Sequence, residues 1–163
     1  MGHQVRYSSH LPVLIKIIIS TTGNVLELGA GIFSTPVLHW LCSPNKRKLV
    51  SYDNDPKYFN WIKQFEDKFH TVIFTDDWDT INIEQPWEVA FLDHKPRERR
   101  KEDIKKLANL AKYIIIHDSC GRTDKYYHYS EIYPLFKYLY TYKIQRPHTT
   151  VLSNFIDLKD FSV

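Results

Sequence analysis

Five places along this chain set an acid, a glycine pair or a histidine directly after a short apolar run, and these residues could do chemistry. Val25-Leu26 leads into Glu27, Gly29, Ala30 and Gly31, and residues 48–52 lead into Asp53 and Asn54. Residues 71–75 lead into Asp76, Asp77 and Trp78, residues 89–92 into Asp93 and His94, and residues 113–116 into His117 and Asp118. Glycine permits positive φ and lets a ligand approach the backbone. An acid about 20 residues beyond such a turn, at the end of a second strand, can accept hydrogen bonds from both ribose hydroxyls. The pair points to a nucleoside cofactor. One polar residue at a strand end is usually a cap or turn former. Five in succession point to a cleft, because open α/β sheets bind ligands at the carboxyl ends of their strands.

The elements that must position these residues alternate strand-like with helix-like segments. This predicts one Rossmann-like, doubly wound α/β sheet, mostly parallel, with helices on both faces. Residues 9–20 read as an opening helix capped by Ser8 or Ser9. Ser34-Thr35-Pro36 and Asp55-Pro56 carry helix-start signals, and the second of these helices has Tyr58, Ile62, Phe65 and Phe69 as its apolar face. A helix is expected over 98–111 from the spacing of Ile104, Leu107, Ala108 and Ala111, and a last one over 130–140, with Pro134 in its first turn. Residues 142–146 and 149–154 read as a closing antiparallel hairpin. The expectation is a single domain over 1–163, with a lead and helix in 1–23 and the core in 24–163. No cap domain is expected, so substrate contacts fall to residues 1–20, 94–100, 119–129 and the hairpin tip.

Composition narrows the function. The chain has 163 residues, 43% hydrophobic and 15% aromatic, enough to bury a core and not the profile of a disordered chain. A net charge of +3 is too mild to signal nucleic acid. The densest basic run, 97–106, also holds Glu98, Glu102 and Asp103 and reads as a solvated helix face. Cys42 and Cys120 lack metal-ligand spacing and suit reduced thiols of a cytoplasmic protein. The apolar stretch 11–19 is short and broken by Pro12 and Lys16, which argues against a membrane span or signal peptide.

Dinucleotides fit poorly. The third glycine of a Gly-x-Gly-x-x-Gly fingerprint is replaced by Ser34, Phe33 would crowd a pyrophosphate, and no Gly-x-x-x-x-Gly-Lys motif is present. A cofactor without phosphates fits better. Here the chain resembles the class I S-adenosylmethionine-dependent methyltransferases, from Val25 to the final hairpin. The resemblance implies that Gly29, Ala30 and Gly31 line the methionine moiety and Asp53, with Asn54 beside it, holds the ribose. It also implies that Glu27 belongs to the cofactor motif, and that Asp76, Asp77, Trp78 and His94 lie at the adenine end. Ser34 is expected to bond the cofactor's carboxylate. Within the class, residues 89–94 and 114–119 are similar to the fourth and fifth strands of the catechol O-methyltransferase group. That group holds Mg²⁺ through positions matching Asp93 and Asp118 and through an Asn where this chain has Ser119. Its substrate-deprotonating lysine would fall on Pro96. We therefore expect no metal, and cofactor binding that survives chelation.

The expected activity is methyl transfer to an oxygen of a small-molecule acceptor. Asp93 sits nearest the reacting methyl, and His117 acts as base, oriented by Asp118. Turnover should then fall at low pH as His117 protonates. The tyrosine- and charge-rich loop 119–129 reads equally as an acceptor site or as the surface of a homodimer. Two other readings stand beside this one: a protein that binds S-adenosylmethionine without chemistry, and an RNA or protein methyltransferase. The second lacks support in residues 93–96, which are not the Asn/Asp-Pro-Pro-Tyr/Phe of amino-methylating groups.

Overall fold

The computed structural model describes residues 7–163. Seven strands form one sheet in the order β3-β2-β1-β4-β5-β7-β6. They are β1 (Val25–Leu28), β2 (Leu49–Asp53), β3 (His70–Phe74), β4 (Trp87–Leu92), β5 (Ala111–Ile116), β6 (Tyr138–Tyr142) and β7 (Thr149–Ser153). The first five pair in parallel, and β7 and β6 close the sheet in antiparallel pairing. Chain order runs outward from β1 to β3, then crosses back to β4, so the switch in strand order lies between β1 and β4, where ligands enter such sheets.

Strand periodicity divides the core into two layers. Leu26, Leu28, Val50, Ala90, Leu92, Ile114 and Ile116 face Ile104 and Leu107 of helix α4 (Arg100–Leu107). Val25, Leu49, Val89, Phe91 and Ile115 face helices α1 (Leu11–Ile19) and α2 (Ser34–Cys42). Helix α3 (Pro56–Ile62) starts at Asp55, whose side chain accepts from the Lys57 N–H. Of its expected apolar face, Ile62 is buried while Tyr58 is exposed.

Local signals misplaced three elements. The opening helix begins at Leu11 behind an uncapped His10, and the Ser9 hydroxyl reaches Pro147 O at 2.7 Å instead of capping it. The expected helix over 98–111 is a 3₁₀ turn at Arg97–Arg99 followed by the shorter α4. The expected helix over 130–140 is absent. Two 3₁₀ turns, Tyr129–Glu131 and Tyr133–Leu135, lead into β6, so the hairpin starts earlier than residue 142. Pro134 cannot continue a helix, and Tyr138-Leu139-Tyr140-Thr141-Tyr142 is a β-rich run that finds a partner in β7. Loop 119–129 is likewise more ordered than expected, with helix α5 (Asp124–Tyr127) inside it. Both cysteines are buried free thiols, and among the described residues no helix is long and apolar enough to cross a membrane.

Gly29 is where the two central strand ends meet. Its φ is +87°, and a Cβ there would lie 2.3 Å from the His94 nitrogen and 2.5 Å from the Asp93 carbonyl carbon. Its N–H donates to Tyr52 O at 2.9 Å, while Asp93 N–H donates to Leu28 O at 2.8 Å. The residue is glycine because backbone occupies the space a side chain would need. Gly29→Ala should therefore destabilise the fold by about 2–5 kcal/mol, combining left-handed strain with overpacking against main chain. Denaturant unfolding of the purified variant measures this.

Candidate functional site

The loop after β1 is braced from below by an acid. Glu27 lies in the middle of β1 with 0% exposure. Its carboxylate accepts from the Thr35 hydroxyl at 3.0 and 3.1 Å and from Ser51 at 2.5 Å, with Ser34 also bonded. Thr35 in turn accepts the Gly31 N–H at 2.9 Å. The chain continues inward from Ser51 to His70 Nε2 (2.9 Å) and from His70 Nδ1 to His39 Nδ1 (3.3 Å). Burial pushes the Glu27 carboxyl up to about 7 against these hydroxyl donors, and holds His70 down at about 4, hence neutral. Glu27 and Ser34 are therefore positioned to shape the loop, with the Ser34 hydroxyl bonded to Glu27. Gly31 is the position that stays open, since a Cβ there meets nothing nearer than Ser34 Oγ at 3.8 Å.

Beside this opening, Asp53 ends β2. It is buried, accepts the Asp55 N–H at 2.7 Å and is bonded by the Ala30 and Asn54 backbone. Burial raises its pKa to about 6. The residues expected at the adenine end divide. Asp76 and Asp77 are exposed beyond β3. Trp78 and His94 are buried against each other, ring centroids 4.4 Å apart. Trp78 Nε1 donates to Lys95 O at 2.7 Å, and His94 Nε2 lies 3.0 Å from the Asp103 carboxylate. Arg99 clamps Asp103, Asp79 and Trp78 O from outside. Trp78 and His94 are thus an internal pillar, and their rings are engaged by protein.

At the ends of β4 and β5 the structure gathers four charges. Asp93 Oδ1 pairs with Arg100 at 2.9 Å and its Oδ2 accepts from His117 Nδ1 at 3.2 Å. Asp118 Oδ2 lies 3.6 Å from Arg100 and accepts from the Tyr127 hydroxyl at 2.6 Å. Asp118 has φ +60°, a left-handed conformation for which Asp pays less than most residues. The side chains of Asp93 and Asp118 are 26% and 24% exposed, whereas that of Arg100 is 3%. Burial opposes ionisation of Asp93, but Arg100 and His117 hold its carboxyl well below the usual range.

The surroundings of His117 favour its protonated form over the neutral one expected. The single Ser9 hydroxyl proton goes to Pro147 O, so His117 Nε2, 2.9 Å from Ser9 Oγ, must donate to it. Nδ1 donates to Asp93. Both ring nitrogens are then protonated. Burial works against the cation, but the Asp93 charge and hydrogen bond outweigh it and raise the pKa. His117 is held between Asp93 and Ser9 and its raised pKa favours the imidazolium, an arrangement that orders Asp93 and speaks against the expected role as base. The Ser-His-Asp order is likewise no nucleophile relay, since Ser9 is fully buried and its proton is engaged. His10 stacks on Phe91 at 4.8 Å and faces His117 edge-on, with burial holding it neutral near 3.

The sequence missed Arg100. It falls inside the run read as a solvated face, yet Arg100 and Asp103 are both buried. The signal was its spacing of four and seven residues before Ile104 and Leu107, which puts it on the apolar stripe of α4. The tyrosine-rich segment also turned inward. Tyr127 and Tyr129 are buried and stacked 5.0 Å apart, leaving Tyr126 at the surface.

The raised carboxyl of Glu27 has a testable consequence. Its folded value of about 7 lies above the ordinary 4.5, so the folded state binds the extra proton. That contribution to stability is complete below about pH 4.5 and is lost as pH rises through 7, amounting to about 3 kcal/mol. Denaturant unfolding of wild type and Glu27→Gln at pH 5 and pH 8 should show the wild type losing this stability relative to the variant.

No protein-family model matches the sequence, and no curated protein matches it. Solved structures do resemble the fold. An O-methyltransferase from Bacillus cereus in complex with SAH superposes with a TM-score of 0.66 at 13% identity, over 94% of this chain and 81% of that one. The methyltransferase domain of METTL16 gives 0.66 at 12% identity, over 96% and 70%. The N-methyltransferase NodS from Bradyrhizobium japonicum WM9 gives 0.65 at 10% identity, over 96% and 100%. With its seven-stranded sheet, β1–β4 switch point and antiparallel β7, this chain has the class I S-adenosylmethionine-dependent methyltransferase fold.

Proposed function

We propose that the protein is an S-adenosylmethionine-dependent methyltransferase acting on an oxygen of a small molecule. The observation that carries this is the juxtaposition of an open Gly31 position with the Asp53 carboxylate at neighbouring strand ends. The residues fit the cofactor. Gly31 leaves room for the methionyl portion, and Asp53 is a carboxylate whose pKa burial raises, so that donors from two ribose hydroxyls would favour its charged form. Asn54, Asp76 and Asp77 border the same edge. A ligand with no phosphates suits a cleft whose rim carries Asp76, Asp77, Asp93 and Asp118.

The bound cofactor supplies an electrophilic methyl on a sulfonium, a good leaving group that needs no acid. What remains for the chain is alignment and exclusion of water. Asp93 and Asp118 present their accessible edges at the ends of β4 and β5, where they accept hydrogen bonds from an acceptor hydroxyl and fix its lone pair. Ion pairing makes Asp93 a weak base, so its role is orientation. Asp118, less tightly paired at 3.6 Å, takes the hydroxyl proton as the ether oxygen forms. Segments 94–100 and 119–129 border the acceptor, with Arg97 over the Tyr126 ring at 5.5 Å.

Calorimetry with S-adenosylhomocysteine tests the cofactor assignment. Gly31→Val should abolish binding in a protein that still unfolds cooperatively, because its side chain takes the ligand's volume. Asp53→Ala should weaken binding by about 2–4 kcal/mol, the worth of two hydrogen bonds to a charged group. Unchanged affinity in Gly31→Val, or tighter binding of NAD, overturns the reading.

Protonation gives a second check. Donors from the ribose favour the charged carboxylate, so binding lowers the Asp53 pKa. Affinity should be flat above pH 7 and fall about tenfold per unit well below pH 6. Asp53→Asn should remove that dependence. For the acceptor end, Asp118→Asn should lower turnover far more than cofactor affinity in a panel of hydroxyl and amine acceptors. Turnover of amines alone would reassign the acceptor atom.

A further inference from the structure

The resemblance of β4 and β5 to a metal-dependent group implies a divalent ion between Asp93 and Asp118. The side chains present do not fit one. We propose that Arg100 is a built-in cation that fills this position, bridging the two carboxylates in place of a metal ion and orienting them toward the cleft.

Three observations support it. The first is coordination. The guanidinium reaches Asp93 Oδ1 at 2.9 Å and Asp118 Oδ2 at 3.6 Å, donates to His94 O at 2.7 Å, and meets His117 O at 3.5 Å and the Tyr129 hydroxyl at 3.4 Å. The Tyr127 ring covers its face at 4.8 Å. A group buried this deeply with partners on every side is not a surface charge that happens to swing inward.

The second is charge balance. Both carboxylates already face a cationic partner, Asp93 and Asp118 meeting the Arg100 guanidinium at 2.9 and 3.6 Å while Asp93 also meets the His117 ring at 3.2 Å. A divalent ion placed on the same carboxylates would face a buried guanidinium that cannot lose its proton. His10 Nδ1 or Nε2, Asp93 and His117 do offer ligand atoms within 4.8 Å of one another. In that set His117 Nδ1 is already engaged with Asp93 Oδ2 at 3.2 Å, and Asp93 Oδ1 with Arg100 at 2.9 Å. The third is the missing oxygen. Ser119 Oγ accepts from Thr150 at 2.8 Å, which turns it to β7 and away from the carboxylate pair.

Arg100 is thus a positioning residue that acts through Asp93 and Asp118. Its fixed charge has no dependence on metal supply, and its fork geometry sets the angle between two carboxylates as an ion would set it by coordination. The inference concerns charge at the strand ends and holds whatever cofactor the loop after β1 binds.

Mn²⁺ binding, read by electron paramagnetic resonance and by thermal shift, tests it without any substrate. Wild type should bind no Mn²⁺ that depends on Asp118. Arg100→Met should gain one Mn²⁺ site, at least about tenfold tighter than any wild-type binding, and lose it again when Asp93→Asn is added. Arg100→Lys keeps the charge and should gain none. If Arg100→Met is unfolded alone, Mn²⁺ should restore its cooperative unfolding by replacing the lost charge. Wild-type Mn²⁺ binding abolished by Asp118→Asn overturns the proposal. So does a folded Arg100→Met with no new site, or an unfolded one that Mn²⁺ fails to restore.

Discussion

The Arg100 guanidinium is the contact on which the active edge of this sheet depends. It ties the end of β4 (Asp93, His94 O), the end of β5 (His117 O, Asp118) and the segment bearing Tyr127 and Tyr129 to the first turn of α4. Removing one partner from a buried ion pair costs about 3–5 kcal/mol, because the charge left behind keeps its desolvation penalty. Around Arg100 that penalty would fall on two carboxylates at once. The same contact keeps the two acids apart and pointed outward, so stability and the geometry of the cleft come from one interaction. His117 extends it. Its doubly donated ring joins Asp93 to Ser9 and, through Ser9, to Pro147 at the hairpin.

A second buried acid does the corresponding work on the other side of the switch point. Glu27 sits under the loop it precedes, and three hydroxyl donors hold it there. Beyond Ser51 the chain runs through His70 to His39, each ring donating toward the carboxylate in turn. Such a fully satisfied polar network is stiff, since every member fixes its neighbour's rotamer. Rigidity beneath Gly29–Gly31 is what a cofactor loop needs, because a preformed cradle loses little conformational entropy on binding. The two halves of the site therefore use a related device, an acid fixed by several partners, fully buried at Glu27 and partly exposed at Asp93. Glu27, with a pKa of about 7, is about half protonated at neutral pH, whereas Arg100 and His117 keep Asp93 ionised.

The comparisons and the site geometry act at different levels. The superpositions establish the fold, while the neighbours carry both O- and N-methyltransferase names. The site geometry is local: Arg100 between the acids, the Trp78–His94 pillar against Asp103, and Ser119 bonded to Thr150.

By itself the sequence determined the parallel α/β sheet, the glycine turn after β1, Asp53 at the end of β2, and the polar residues after β4 and β5. Those features are encoded locally, in apolar runs a strand long and in the residues that end them, so short-range physics suffices to read them. It misjudged whatever depended on a partner far along the chain. Tyr138–Tyr142 became a strand because β7 was there to pair with it. Arg100 looked solvated because its own neighbours are charged, and only the packing of α4 on the sheet brings it to Asp93 and Asp118. His117 looked like a base because Ser9, 108 residues away, and Pro147 decide which of its nitrogens are protonated. Charge state and burial are properties of the surroundings in space, and in this protein only the tertiary structure decided them.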